Sequence, residues 1–149
     1  MRGERVYSKA PYGRWASTTM ISSIRRNGKT ACMVVEAATD GEVFVQYIRQ
    51  VLMPTLQPGD CVIMDNLSPH KLTLVKRLLK SVGVEIRWLP AYSPDLNPIE
   101  KMWSKIKEIL RSMEARTQEE LYQAIAKAFQ MITATDAENW FASCGYTIN

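Results

Sequence analysis

Asp65 and Glu100 are the two carboxylates whose settings admit chemistry. Asp65 ends a short apolar run, Cys61-Val62-Ile63-Met64, and Asn66 and Ser68-Pro69 follow it. One reading makes it an Asx-turn residue shaping the exit from a strand. The other makes it a metal-binding carboxylate at a strand's C-terminal end, where α/β sheets gather ligands. Glu100 belongs to "AYSPDLNPIEKMW", residues 91–103. With Asn97 as N-cap and Pro98 at the first helical position, Glu100 falls at the third. There it can reach back to the cap amide and complement the helix dipole, a contribution on the order of 1 kcal/mol. It also lies beside the stripe Ile99, Met102, Trp103, Ile106, Ile109, Leu110 and Met113, so it can equally face a sheet edge.

The elements that must position these groups are legible in the pattern. Residues 15–25 and 30–38 are rich in Thr, Ile, Val and small residues, and Asn27-Gly28 between them signals a hairpin. Asp40 can cap a helix over 41–52 with Val43, Phe44, Tyr47, Ile48 and Val51 on one face. "QPGD" breaks the chain before the apolar run 61–64, which reads as a strand buried on both faces. Ser68-Pro69 opens a helix through Ser81, with Leu72, Val75, Leu78 and Leu79 inward and Lys71, Lys76, Arg77 and Lys80 outward. Gly83 stops it, 84–89 reads as another strand, and helices follow over 98–114, 117–132 and 136–143. Thr117 and Glu120 form a capping-box pair. This order predicts a mixed sheet with helices on its faces.

A chain of 149 residues suits one domain with a real core, and its 46% hydrophobic content excludes a disordered class. No run reaches the roughly 18 apolar residues of a membrane span, and the N-terminus lacks a signal-peptide core, so a cytoplasmic location is expected. Cys32, Cys61 and Cys144 are widely spaced in apolar sequence and read as buried thiols rather than a zinc site. Positive charge is concentrated in residues 1–30, where Arg2, Arg5, Lys9, Arg14, Arg25, Arg26 and Lys29 oppose Glu4 alone. A second basic stretch spans residues 61–90. Such patches suit a phosphate backbone, and Arg25, Arg26, Lys29, Lys71, Lys76, Arg77 and Lys80 are the candidate DNA-facing residues.

Taken together, Asp65, Asn66 and His70, then Tyr92, Ser93, Pro94, Leu96, Asn97, Pro98, Ile99 and Glu100, form a long string with 34 residues between the two carboxylates. This resembles the catalytic core of mariner-like bacterial insertion-sequence transposases, a DDE-type domain of RNase H-like fold. The resemblance runs from about residue 10 to the C-terminus. It implies Asp65 and Glu100 as two of three acidic metal ligands. It also implies Mg²⁺ or Mn²⁺ in a two-metal site, cleavage at transposon ends and strand transfer into target DNA. Asn66, His70 and Asn97 become candidates for supporting the ligands or touching DNA. His70, the only histidine, reads equally as a polar residue at a helix start.

The family's first aspartate lies on the central strand of a sheet ordered 3-2-1-4-5, just before the hairpin. Here "MRGERVYSKAPYG" holds no aspartate, and Glu4 sits in a basic, Gly-flanked stretch that does not read as a strand. The expectation is therefore a partial DDE-type domain over 1–149 lacking its central strand, one ligand and the upstream helix-turn-helix region. A decayed fragment, a second reading frame or a late start codon would each produce it. Such a chain should not cut or join DNA alone, and its two half-sheets should either pair directly or fold poorly. A non-catalytic DNA-binding or assembly module, acting as a homodimer or with a full-length transposase, is the alternative. An RNase H-like nuclease acting on RNA–DNA hybrids is a third.

Overall fold

The computed structural model describes residues 3–9, 18–36, 41–65, 69–90 and 93–146; for 3–9, 69–72 and 94 it describes the backbone alone. Strands β1 (Gly3–Lys9), β2 (Thr18–Ser23) and β3 (Met33–Glu36) precede helix α1 (Gly41–Tyr47). Strand β4 (Cys61–Met64), α2 (Pro69–Ser81) and β5 (Glu85–Trp88) follow, then α3 (Pro98–Met113), α4 (Gln118–Gln130) and α5 (Ala134–Ser143). The five strands form one sheet in the order β3-β2-β1-β4-β5. β1 runs antiparallel to β2 and parallel to β4, and β4 runs parallel to β5. No helix among the described residues is long and apolar enough to cross a membrane.

The expected gap at the sheet's centre is filled. Gly3–Lys9 pairs with β2 from Arg5↔Ser23 to Lys9↔Thr19 and with β4 from Gly3↔Val62 to Arg5↔Met64. Its basic, Gly-flanked composition gave no strand signal. The strand state comes from two neighbours whose backbone N–H and C=O groups need partners, a demand that outweighs local propensity. The half-sheets therefore neither pair directly nor lack a partner.

Alternation along the central strands sends side chains into two cores. Met20 and Ile24 pack with Ile99, Met102, Trp103, Ile106, Leu110 and the α4 and α5 residues Leu121, Ile125 and Phe141. Ile21, Val62 and Met64 point the other way, against Phe44, Tyr47 and Ile48 near α1 and Val75 and Leu79 of α2. Each fully buried aliphatic or aromatic side chain contributes about 1.5–3 kcal/mol. Helices thus cover both faces, as the element order predicts.

Most local expectations hold, with instructive departures. In the β2–β3 hairpin, Gly28 N donates to Arg25 O at 2.9 Å and Gly28 takes φ of 89°. A β-carbon there would come within 2.9 Å of Ala134 N and Thr133 O, so the turn seats against the start of α5. The helix expected over 41–52 is α-helical only to Tyr47, continuing as a π-helical turn, Ile48–Leu52, and a 3₁₀ turn, Met53–Thr55, around Pro54. The proposed cap, Asp40, lies outside the described residues. α5 begins two residues early, because Thr133 and Asp136 close a capping box. Cys61 and Cys144 are buried; Cys32 is half-buried, and burial pushes its thiol up to about 12.

Candidate metal centre at the sheet edge

Asp65 directly follows β4, at its C-terminal end, and continues the alternation of Cys61 and Ile63. Those two residues pack with Leu89 and Tyr146, on the face away from α1 and α2. α3 begins beside this edge through a tightly built entry. A 3₁₀ turn, Pro94–Leu96, leads to Asn97, which is extended (φ −116°, ψ 101°) and fully buried. The Ile99 N–H donates to Asn97 Oδ1 at 3.2 Å, the N-cap bond expected from sequence. With Oδ1 accepting, the amide nitrogen is turned away, and Asn97 Nδ2 donates to Asp65 Oδ1 at 3.3 Å. From the other side, the Tyr146 hydroxyl donates to the Leu96 carbonyl at 2.8 Å.

Glu100 sits half-buried in the first turn of α3. α4 and α5 each close a capping box, but at α3 only the Asn97 side-chain cap forms. The expected return bond from Glu100 to the cap amide is not made. Burial pushes the Glu100 carboxyl above its ordinary value, the negative charge of Asp65 adds to that, and Lys107 opposes it. Two carboxylates sharing one edge at a cost to the ionised form is the electrostatic setting that a cation relieves.

That shift has a sign for stability. An acid whose folded-state pKa is raised binds more protons folded than unfolded between the two values, so stability falls as pH climbs through that window. In metal-free buffer, Glu100→Gln is expected to be more stable than the parent at neutral pH. The advantage should disappear as pH falls to the ordinary carboxylate range. Chemical denaturation at a series of pH values checks this, and a variant less stable at neutral pH would contradict it.

In the β1–β4 register Glu4 lies opposite Ile63 and Arg5 opposite Met64, so the one acidic residue of β1 falls short of the Asp65 position. Among the described residues no group of three His, Cys, Asp or Glu side chains could hold a metal. Asn66 lies outside the described residues, as do the side chains of His70 and Lys71.

Among the described residues, the basic candidates do not form one cluster around the carboxylates. Lys76, Arg77 and Lys80 are exposed along α2, with Lys80 ~16 Å from the helix start at 1.5 Å per residue. Arg25, Arg26 and Lys29 belong to the hairpin at the far end of β4. There a polar cavity of about 430 Å³ is lined by Arg25, Lys29, Thr55, Gln57 and Asp60, among others. Lys29 is exposed, and Arg26 is half-buried with its Nη2 sealed from solvent and unbonded among the described residues. Arg25 is committed internally: its Nη2 donates to Asp60 Oδ2 at 2.7 Å and to Thr55 O at 2.6 Å. Sequence reasoning missed this pairing, for which a separation of 35 positions leaves no local signal.

A mixed five-stranded sheet in the order 3-2-1-4-5, covered by helices on both faces, defines an RNase H-like fold. The DDE superfamily endonuclease profile matches residues 1–122, and the chain belongs to that family. Among solved structures, the chain is similar to a chain of the simian T-cell lymphotropic virus intasome, determined in complex with PP2A regulatory subunit B56 gamma. The TM-score is 0.62 at 11% identity, over 83% of this chain and 46% of that one. The present chain thus spans under half the length of that relative. No curated protein matches it in sequence.

Proposed function

We propose that the chain is the catalytic-domain portion of a DNA transposase of the mariner-like, bacterial insertion-sequence kind, with Asp65 and Glu100 as ligands for a divalent cation. The observation that carries this reading is the buried Asn97 amide, which joins the start of α3 to Asp65 and so brings Glu100's helix to the strand end. Hard oxygen ligands suit Mg²⁺ or Mn²⁺. When bound, such ions activate an attacking hydroxyl and stabilise the leaving oxygen of a phosphodiester. The protein supplies the two carboxylates and their orientation, with Asn66 and His70 as further supporting or DNA-facing groups. Lys71, Lys76, Arg77, Lys80, Arg26 and Lys29 are assigned to DNA phosphates. Arg25 is assigned to the scaffold. The setting is the bacterial cytoplasm, with DNA as partner.

Among the described residues only Asp65 and Glu100 are assigned to this site, and no third acidic side chain joins them there, as a two-metal centre would need. The same observation favours a second reading, a DNA-binding or assembly module that works as a homodimer or with a full-length transposase. The purified chain, mixed with DNA and Mg²⁺, is expected to bind in a salt-dependent way without cutting or joining strands. Binding that survives Asp65→Ala and Glu100→Ala would favour the module. Strand transfer abolished by Asp65→Ala would overturn the claim of inactivity and establish the catalytic reading directly.

A further inference from the structure

We infer that Asn97 is the positioning residue of the cation site: one side chain sets both the start of the Glu100 helix and the orientation of the Asp65 carboxylate. This inference rests on the proposed cation site. Asn97 is fully buried, so it has no surface with which to touch DNA. Its two polar atoms are divided between the two elements that carry the ligands. Oδ1 accepts from Ile99 N–H at 3.2 Å, and Nδ2 donates to Asp65 Oδ1 at 3.3 Å. Because the acceptor side is fixed by the helix cap, the amide has one orientation, and its donor side falls on Asp65. A carboxylate held through one oxygen loses rotational freedom and offers the other oxygen to a metal. Groups of this kind behind metal ligands typically change affinity 10–100-fold when removed. Pro98 contributes by fixing φ at the next residue, so Asn97 enters the helix at a set angle.

Serine separates the two roles, since it caps a helix about as well as asparagine but has no amide to donate across to Asp65. Mn²⁺ binding to the purified chain, followed by electron paramagnetic resonance, is measured for the parent, Asp65→Ala and Asn97→Ser, with Tm recorded for each. The expected result is parent binding, its loss in Asp65→Ala, and roughly tenfold weaker binding in Asn97→Ser with Tm little changed. Asn97→Ser binding as tightly as the parent would overturn the positioning role and leave the cation site standing. A parent that does not bind, or an Asp65→Ala variant that binds equally well, would overturn the site and the positioning role together. Should Asn97→Ser fail to fold, Mg²⁺ titration of the parent by NMR decides. The Asn97 side-chain amide protons are expected to shift with the binding curve, and unmoved protons would refute the inference.

Discussion

Replacing Arg25 by alanine is expected to lower the stability of the chain by about 3 kcal/mol, the cost of leaving a buried charge without its counter-ion. The Arg25 side chain is 18% exposed and that of Asp60 only 5%, so little water reaches the pair. Asp60 Oδ2 also accepts from Gln57 N–H at 2.9 Å, which holds the carboxylate in place after the guanidinium is gone. The pair has architectural weight. Arg25 extends from the end of β2 and Asp60 precedes β4, and β1 lies between those strands. The ion pair therefore ties the two neighbours of the central strand together where that strand begins. Lys29→Ala, an exposed change in the same hairpin, should stay within about 0.5 kcal/mol. Urea denaturation distinguishes the two variants, and equal midpoints would refute the assignment of Arg25 to the scaffold.

Phe141→Ala is expected to cost about 4 kcal/mol, through lost transfer energy and the cavity left behind. Phe141 is 1% exposed, packs into the α3–α4 core and meets the Tyr146 ring edge-on at 6.1 Å. The family profile ends at residue 122, inside α4. Even so, α5 and Tyr146 support the entry to α3 through the hydrogen bond to Leu96. Lys105 Nζ adds a second tie, donating to the Met131 carbonyl and to Asp136. Residues beyond the family match thus belong to the same cooperative unit as the site. A loss below 1 kcal/mol would show that α5 is a detachable appendage.

The parts legible in the sequence were those with local causes. Asn27-Gly28 marked the hairpin, Pro69 the start of α2, Asn97-Pro98 the start of α3, and Thr117 with Glu120 the start of α4. Asp65 and Glu100 were singled out by their string and spacing, and the Asn97 cap, which bonds to Asp65, came from the same stretch. The parts not legible have non-local causes. β1 is a strand because of what flanks it, and its composition hid it. Arg25 looked like a free basic residue until Asp60 was placed beside it. The reach of Tyr146 to Leu96 spans 50 positions. In "QPGD" the turn was evident, but Asp60 as a buried ion-pair partner was not.

The central claim is that Asp65 and Glu100 jointly hold a divalent cation. Cation-dependent thermal stability tests it most directly, since an ion that binds only the folded chain stabilises it by about 2.7 kcal/mol at a hundred times its Kd. Adding Mn²⁺ should raise the Tm of the parent by several degrees, and Asp65→Ala or Glu100→Gln alone should abolish the rise. An equal rise in either variant would place the cation elsewhere and contradict the account.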